Sequence, residues 1–187
     1  MNPLNNKLSA KDGGLKFLIA WLGVLLVRLV PFRPPNVEPM LSCMMPVSKK
    51  YGAFTSFLFG FFGILILDLI VGQVGVHTLI TSVSYGSLGL AAFYYFKNRE
   101  SSIKNYLKFG IPGIIAYDIV TGILPGLLLY DQAFMVVLSL QIPFTLNHVL
   151  GTIVFSIVIS PALYKWIITN KKLEIPFIWN KLSISFK

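Results

Sequence analysis

The sequence predicts an all-α integral membrane protein: a bundle of six transmembrane helices with both termini on the cytoplasmic side. Three observations point there. Of the 187 residues, 55% are hydrophobic and only 12% charged, and the mean hydropathy of +0.74 is far above that of an ordinary soluble domain. Apolar runs at residues 15–30, 51–71, 78–96, 103–121 and 144–166 approach or exceed the roughly 20 residues that cross about 30 Å of hydrocarbon. The basic residues also fall into alternate connections, as the positive-inside bias requires of short loops.

Residues 1–14 form a short tail with Lys7 and Lys11, and the first run follows without a small-residue cleavage pattern, so it is expected to be retained. It ends in "RLVPFRPPNVEP", residues 28–39, where two arginines, an asparagine, a glutamate and four prolines stand together. Pro34 and Pro35 fix an extended corner. Asn36 is a favoured helix N-cap, and Pro39 is tolerated in a first turn. The next apolar stretch, residues 36–48, is too short to span by itself, and charge decides it. Counted as a second span, it places Lys49/Lys50, then Lys97/Arg99/Lys104, then the tail lysines 171, 172, 181 and 187 on one side with Lys7, Lys11 and Lys16; with Lys108 and Lys165 that side holds 14 of the 16 basic residues, leaving Arg28 and Arg33 opposite. The connections at 72–77 and 122–131 contain neither Lys nor Arg.

Residues 51–71 and 78–96 supply the third and fourth spans and 103–121 the fifth. The stretch 131–144 begins at Asp131, a plausible cap, and stops at Pro143; it is expected to be a short external re-entrant or interfacial helix before the last span. That span is expected to start near Thr145 and to kink at Pro161, with Ser160 or a neighbouring helix satisfying the freed carbonyl. The membrane domain therefore covers residues 15–170, followed by a basic cytoplasmic tail, 171–187.

A shift of 50 residues reveals a repeat: Gly60-x2-Gly63-x4-Asp68-x3-Gly72 recurs as Gly110-x2-Gly113-x4-Asp118-x3-Gly122. The glycines are expected to let helices approach closely in lipid, with Gly72 and Gly122 as helix stops. Each aspartate is expected within a turn of the external end of its helix. There it needs compensation, from water or from a charged partner such as Arg28 or Arg33, because acids at membrane depth are costly. Every unusual polar group, including Asn36, Glu38, His77, Asp131, Gln141, Asn147 and His148, projects to the same external layer. Arg33 is the nearest candidate partner of Glu38.

Several function classes are disfavoured. The net charge of +9 comes from scattered lysines at helix ends rather than a basic domain with interleaved aromatics, so no nucleic-acid partner is expected. The single cysteine, Cys43, makes no intramolecular disulfide or CxxC site. It reads as a small buried hydrophobe, with coordination of a soft metal the minor alternative. No phosphate loop of the G-x4-G-K-[ST] kind is present.

The six spans in under 200 residues, the "R-x4-R-P-P-N-V-E-P" corner after the first span and the Gly-rich helices with acids near the outer end resemble the substrate-binding (S) component of energy-coupling factor vitamin transporters. The resemblance covers roughly residues 15–172. It implies a non-enzymatic cell-membrane protein that captures a vitamin or similar micronutrient from outside. It also implies as partners a transmembrane coupling protein and two cytoplasmic ATPases that supply the ATP chemistry. No cofactor or resident metal is implied. Carried onto this sequence, the site would draw on Arg33, Asn36, Glu38, Asp68, Asp118, Asn147 and His148. The A-x3-A docking pattern of many members is absent from "FLIAWLGVLL", where Ala20 and Gly23 lie out of that register. Two other classes stand beside this one: an intramembrane enzyme with a divalent metal on Asp68, Asp118, His77 and His148, and a scaffold whose polar groups pair with one another.

Overall fold

The computed structural model describes residues 14–30, 32, 34 and 36–177. All regular structure among them is helical: α1 (Gly14–Arg28), α2 (Met40–Tyr51), α3 (Ala53–Val71), α4 (Val76–Phe96), α5 (Ile103–Leu128) and α6 (Phe134–Ile168), then a single 3-10 turn at Lys171–Leu173. Four of the helices, α3 to α6, are long and apolar enough to cross a membrane, the helix set of a membrane protein. With 15 and 12 residues, α1 and α2 fall short of that length.

The shortest helix occupies the centre. Every residue of α2 from Met40 to Ser48 is buried, with α1, α3, α4, α5 and α6 packed around it. A helix so enclosed is free of the length that lipid imposes, because its neighbours rather than hydrocarbon cover its sides. Hydroxyl groups tie it in. Pro46 has no amide hydrogen, which leaves the Ser42 carbonyl without its helical partner; Ser160 of α6 donates to that carbonyl at 2.7 Å, and the Ser42 and Ser156 hydroxyls meet at 3.2 Å. Ser160 is thus spent on the carbonyl freed by Pro46, not on the one freed by its neighbour Pro161. Beyond Pro161 the helix relaxes into a π turn, Leu163–Ile168.

Small residues set the α3–α4 crossing. A Cβ on Gly60 would collide with the Tyr85 carbonyl, and one on Gly89 with the Ser56 carbonyl, so the two backbones touch directly, as in close helix pairs in lipid. Gly110 similarly admits Thr152 of α6 against α5.

The chain runs back and forth between two ends of the bundle. At one end fully buried Lys16 donates to the Ile168 carbonyl at 3.1 Å and to Glu174 at 3.0 Å, capping α6. There too Lys49 donates to the Arg99 carbonyl. Lys50, Lys97, Lys104, Lys108, Lys165, Lys171 and Lys172 lie in the helix ends and connections on this side. Arg28 alone among the described Lys and Arg residues lies at the other.

Three expectations need correction. The separate re-entrant helix over 131–144 does not exist: α6 is continuous from Phe134 through Pro143. Pro143 and Ser139, whose carbonyl it frees, are both exposed, so no orphan acceptor is shut inside the bundle. At ~1.5 Å per residue α6 measures about 52 Å and overshoots about 30 Å of hydrocarbon. Asp131 does not cap it either; Asp131 adopts a left-handed turn, φ 46°, and the cap position is Ala133. Finally, Gly72 is a left-handed C-cap, φ 72°, with its N–H on Asp68 and Leu69 carbonyls, whereas Gly122 is no stop. There α5 continues through a π turn, Ile119–Ile123, to Leu128. The connection at Gly122 is therefore helix, and Asp118 stands ten residues inside the end of its helix rather than at its mouth.

Removing the Ser160 hydroxyl strands a buried carbonyl, so Ser160→Ala is expected to cost about 1–3 kcal/mol. Ser139→Ala, on the exposed face, should stay within about 0.5 kcal/mol. The buried thiol of Cys43 gives the readout: its labelling by a thiol-reactive fluorophore on heating in detergent should begin at lower temperature in the first variant alone.

Candidate functional site

At the end of the bundle opposite the lysines, five side chains from four helices and one connection form a buried polar cluster. Its centre is Glu38, two residues before α2 and 7% exposed. The backbone reaches this place because Asn36 adopts a left-handed turn, φ 65°, and because Gly151 of α6 has no Cβ. One there would lie 2.9 Å from Val37 Cα and 3.2 Å from the Glu38 nitrogen. Pro39 then occupies the cap position, and its carbonyl accepts the Cys43 N–H at 2.8 Å.

Each oxygen of Glu38 has its own claimant. Arg28, the last residue of α1, places Nη1 3.1 Å from Oε2. That nitrogen makes no hydrogen bond among the described residues, so its contact with Glu38 is an ion pair with the N–H bonds directed off the carboxylate. The Tyr85 hydroxyl of α4 donates to Oε1 at 2.9 Å, and His148 Nε2 of α6 lies 3.7 Å from the same oxygen. Burial of the Glu38 carboxylate is compensated by the Arg28 guanidinium, the Tyr85 hydroxyl and the nearby His148 ring.

The chain of contacts continues through His148. Its Nε2 is 3.3 Å from the Tyr85 oxygen and its Nδ1 2.8 Å from Asp118 Oδ1. His148 and Asp118 are 3% and 1% exposed. The second oxygen of Asp118, Oδ2, is buried and has no hydrogen-bond partner among the described residues. Aromatic rings wall the cluster: Tyr117 lies 4.2 Å from the Tyr85 ring and edge-on to His148 at 5.9 Å, and Phe144 stands edge-on to His148 at 6.0 Å.

The sequence-predicted residues divide. Glu38, Asp118 and His148 converge. Asp68 does not join them: it accepts from the Thr78 hydroxyl at 2.7 Å, in the turn that joins α3 to α4, with exposed His77 at 4.0 Å. Asn36 serves the turn rather than a helix cap. Asn147, half-buried beside His148, takes no part in the cluster's hydrogen bonds. Arg33 lies outside the described residues, and the cation on Glu38 is Arg28. The four residues of the metal-enzyme alternative fall into two separate places, Asp68/His77 and Asp118/His148. No group of three or more ligating side chains among the described residues is arranged to hold a metal ion.

Arg28 and Tyr85 are the two cluster members outside the predicted site set, Arg28 having stood only as a possible partner of the aspartates. For Tyr85 the signal was there: a tyrosine followed by Gly86 in the middle of an apolar helix must find a partner for its hydroxyl. A groove of about 420 Å³ lies between α4 and α5, its lining including Ser84, Ser87, Leu88, Gly113, Val120 and Tyr117. Tyr117 lines this groove and also packs on Tyr85 and His148 of the cluster.

No family model, curated protein or solved structure matches the chain.

Removing one partner of a buried ion pair costs about 3–5 kcal/mol, while removing both is far cheaper. Arg28→Met and Glu38→Gln are each expected to lower the thermal midpoint, and the double variant to recover part of the loss. The interaction term of that double-mutant cycle is the measurement.

Proposed function

We propose that the chain is the membrane-embedded substrate-capture subunit of an uptake transporter of the energy-coupling factor type, taking up a vitamin-like micronutrient. The observation that carries this reading is the Arg28–Glu38–Tyr85–His148–Asp118 cluster with its unsatisfied carboxylate oxygen. Ionisable groups within membrane helices are costly, and those retained mark solute pathways. Here they are drawn from α1, the connection before α2, α4, α5 and α6, so a solute held among them touches most of the bundle. A cluster serving only as structural glue gains nothing from leaving a buried acceptor unpaired.

In this reading all six helices cross the membrane, α1 and α2 with the help of their flanking residues. The lysine-rich end faces the cytoplasm, as the positive-inside bias directs, and the cluster opens outward. Asp118 is the primary anchor, Glu38 and Arg28 orient the solute, His148 bridges them, and Tyr117 is the wall that moves aside. Asp68 caps a turn and is not part of the site. A transmembrane coupling protein and cytoplasmic ATPases supply the driving force, since this chain carries no phosphate loop.

Mass spectrometry of protein extracted in mild detergent should find a small polar molecule in about equimolar amount, and adding it back should raise the thermal midpoint by mass action. Asp118→Asn should weaken that molecule's binding about tenfold or more, the value of a charged hydrogen bond, while membrane insertion is unchanged. Protein that carries nothing and is stabilised by no solute would argue for a scaffold. Orientation has its own check: single-cysteine labels at Gly75 and Lys97, in a Cys43→Ala background, should react from outside and inside the cell respectively.

A further inference from the structure

We infer that the solute presents a cation to Asp118 and that its entry expels one proton held between Asp118 and His148. This rests on the capture function proposed above and specifies its substrate class, an ammonium, amidinium or protonated ring nitrogen on a small molecule.

The inference comes from donors and acceptors. The Tyr85 hydroxyl has one hydrogen, and at 2.9 Å from Glu38 Oε1 it is given to that carboxylate. The Tyr85 oxygen can then only accept from His148 Nε2, 3.3 Å away, so Nε2 carries a hydrogen. On the other side of the ring, Nδ1 lies 2.8 Å from Asp118 Oδ1, and one hydrogen must stand between them, on either atom. An imidazole protonated at Nε2 beside a carboxylate therefore holds one proton more than neutral imidazole plus carboxylate would.

Charge leads to the same count. Among the described residues, the charged and titratable groups around Asp118 are Arg28 from α1, Glu38 from the connection, Tyr85 from α4, Tyr117 from α5 and His148 from α6. The lysines of α2, Lys49 and Lys50, lie in its last turn at the far end, and Asp68 of α3 is taken by Thr78. Arg28 balances Glu38. Asp118 is balanced only by the extra proton, and a buried charge without a counterpart is not tolerated.

Asp118 Oδ2 supplies the place. It is buried and has no hydrogen-bond partner among the described residues, and it needs a donor. A ligand cation that donates to it brings the positive charge that the proton supplied, so the proton leaves to water through His148 and the net charge of the site is conserved. The rings of Tyr117 and Phe144 stand beside His148, and aromatic neighbours of this kind suit a cation, or an aromatic ring bearing one.

The test uses the full chain in detergent with three probes of one shape: benzamidine (cationic), benzamide (neutral) and benzoate (anionic). Benzamidine should raise the thermal midpoint and the other two should not. In weakly buffered solution its binding should acidify the medium by about one proton per protein, and its affinity should rise about tenfold per pH unit while the free site still holds the proton. Asp118→Asn should abolish both effects; should that variant misfold, the proton count on the native chain decides alone. Benzamide or benzoate binding as well as benzamidine, or benzamidine binding with no proton released, overturns the inference. A neutral or anionic molecule recovered by mass spectrometry would overturn it too, yet leave the capture function standing, whereas finding no solute of any kind would remove both.

Discussion

A carboxylate buried at the head of the central helix organises this bundle. Glu38 cannot be left alone in a low-dielectric interior, and its two oxygens reach Arg28 of α1 and Tyr85 of α4, with His148 of α6 close by. His148 in turn draws Asp118 of α5. One acid therefore ties the end of the first helix to three others. The corner that delivers it, with a left-handed Asn36 and a backbone lying on Gly151, has no other evident reason to be built so tightly. Stability and the candidate site are joined here, because the groups that compensate the burial of Glu38 are the members of that site.

The rest of the bundle is held by means suited to a solvent without a hydrophobic effect. Between apolar helices in lipid, close approach and hydrogen bonding decide the pairing. Gly60 and Gly89 bring α3 onto α4, and Gly110 admits Thr152. Serines join α2 to α6 at a carbonyl that Pro46 sets free. A proline inside the most buried helix is thus not a defect but the origin of a specific interhelical bond. At the lysine-rich end, fully buried Lys16 closes α6 through the Ile168 carbonyl and Glu174, so the first helix makes an ion pair at each end of the bundle, with Glu174 at one and with Glu38 at the other.

How much of this could be read from the residues depends on how local the cause was. Apolar runs gave α1, α3 and α4 nearly to the residue, since hydrocarbon length and flanking charges set them. The boundaries failed where tertiary context overrode punctuation. Pro143 looked like a stop, but on an exposed face it frees a carbonyl that the bundle does not enclose, and α6 runs through it. Glu38, Asp118 and His148 were recognisable because ionic groups are scarce in the chain. Their partners were not: whether Arg28 or Arg33 meets Glu38, and whether Tyr85 turns inward, depends on helix rotation, which composition does not encode.

The internal repeat shows the same divide at its sharpest. Residues 60–72 and 110–122 share five identical positions, yet their aspartates have opposite environments. After Gly72 comes Gln73 and the start of another helix, so the glycine turns left-handed, α3 ends, and Asp68 is free to accept from Thr78 across the turn. After Gly122 comes "ILPGLL", apolar and without a polar group to cap an end. The helix continues through a π turn at Ile119–Ile123, and the Gln141 side chain fills the space beside the Cβ-less Gly122. Asp118 is thereby carried away from the helix end into the protein, where His148 meets it and Oδ2 is left over. The residues after the repeat, rather than the repeat itself, convert a capping acid into a buried anchor, and π turns of this sort recur beside functional groups because they reorient one side chain without ending the helix.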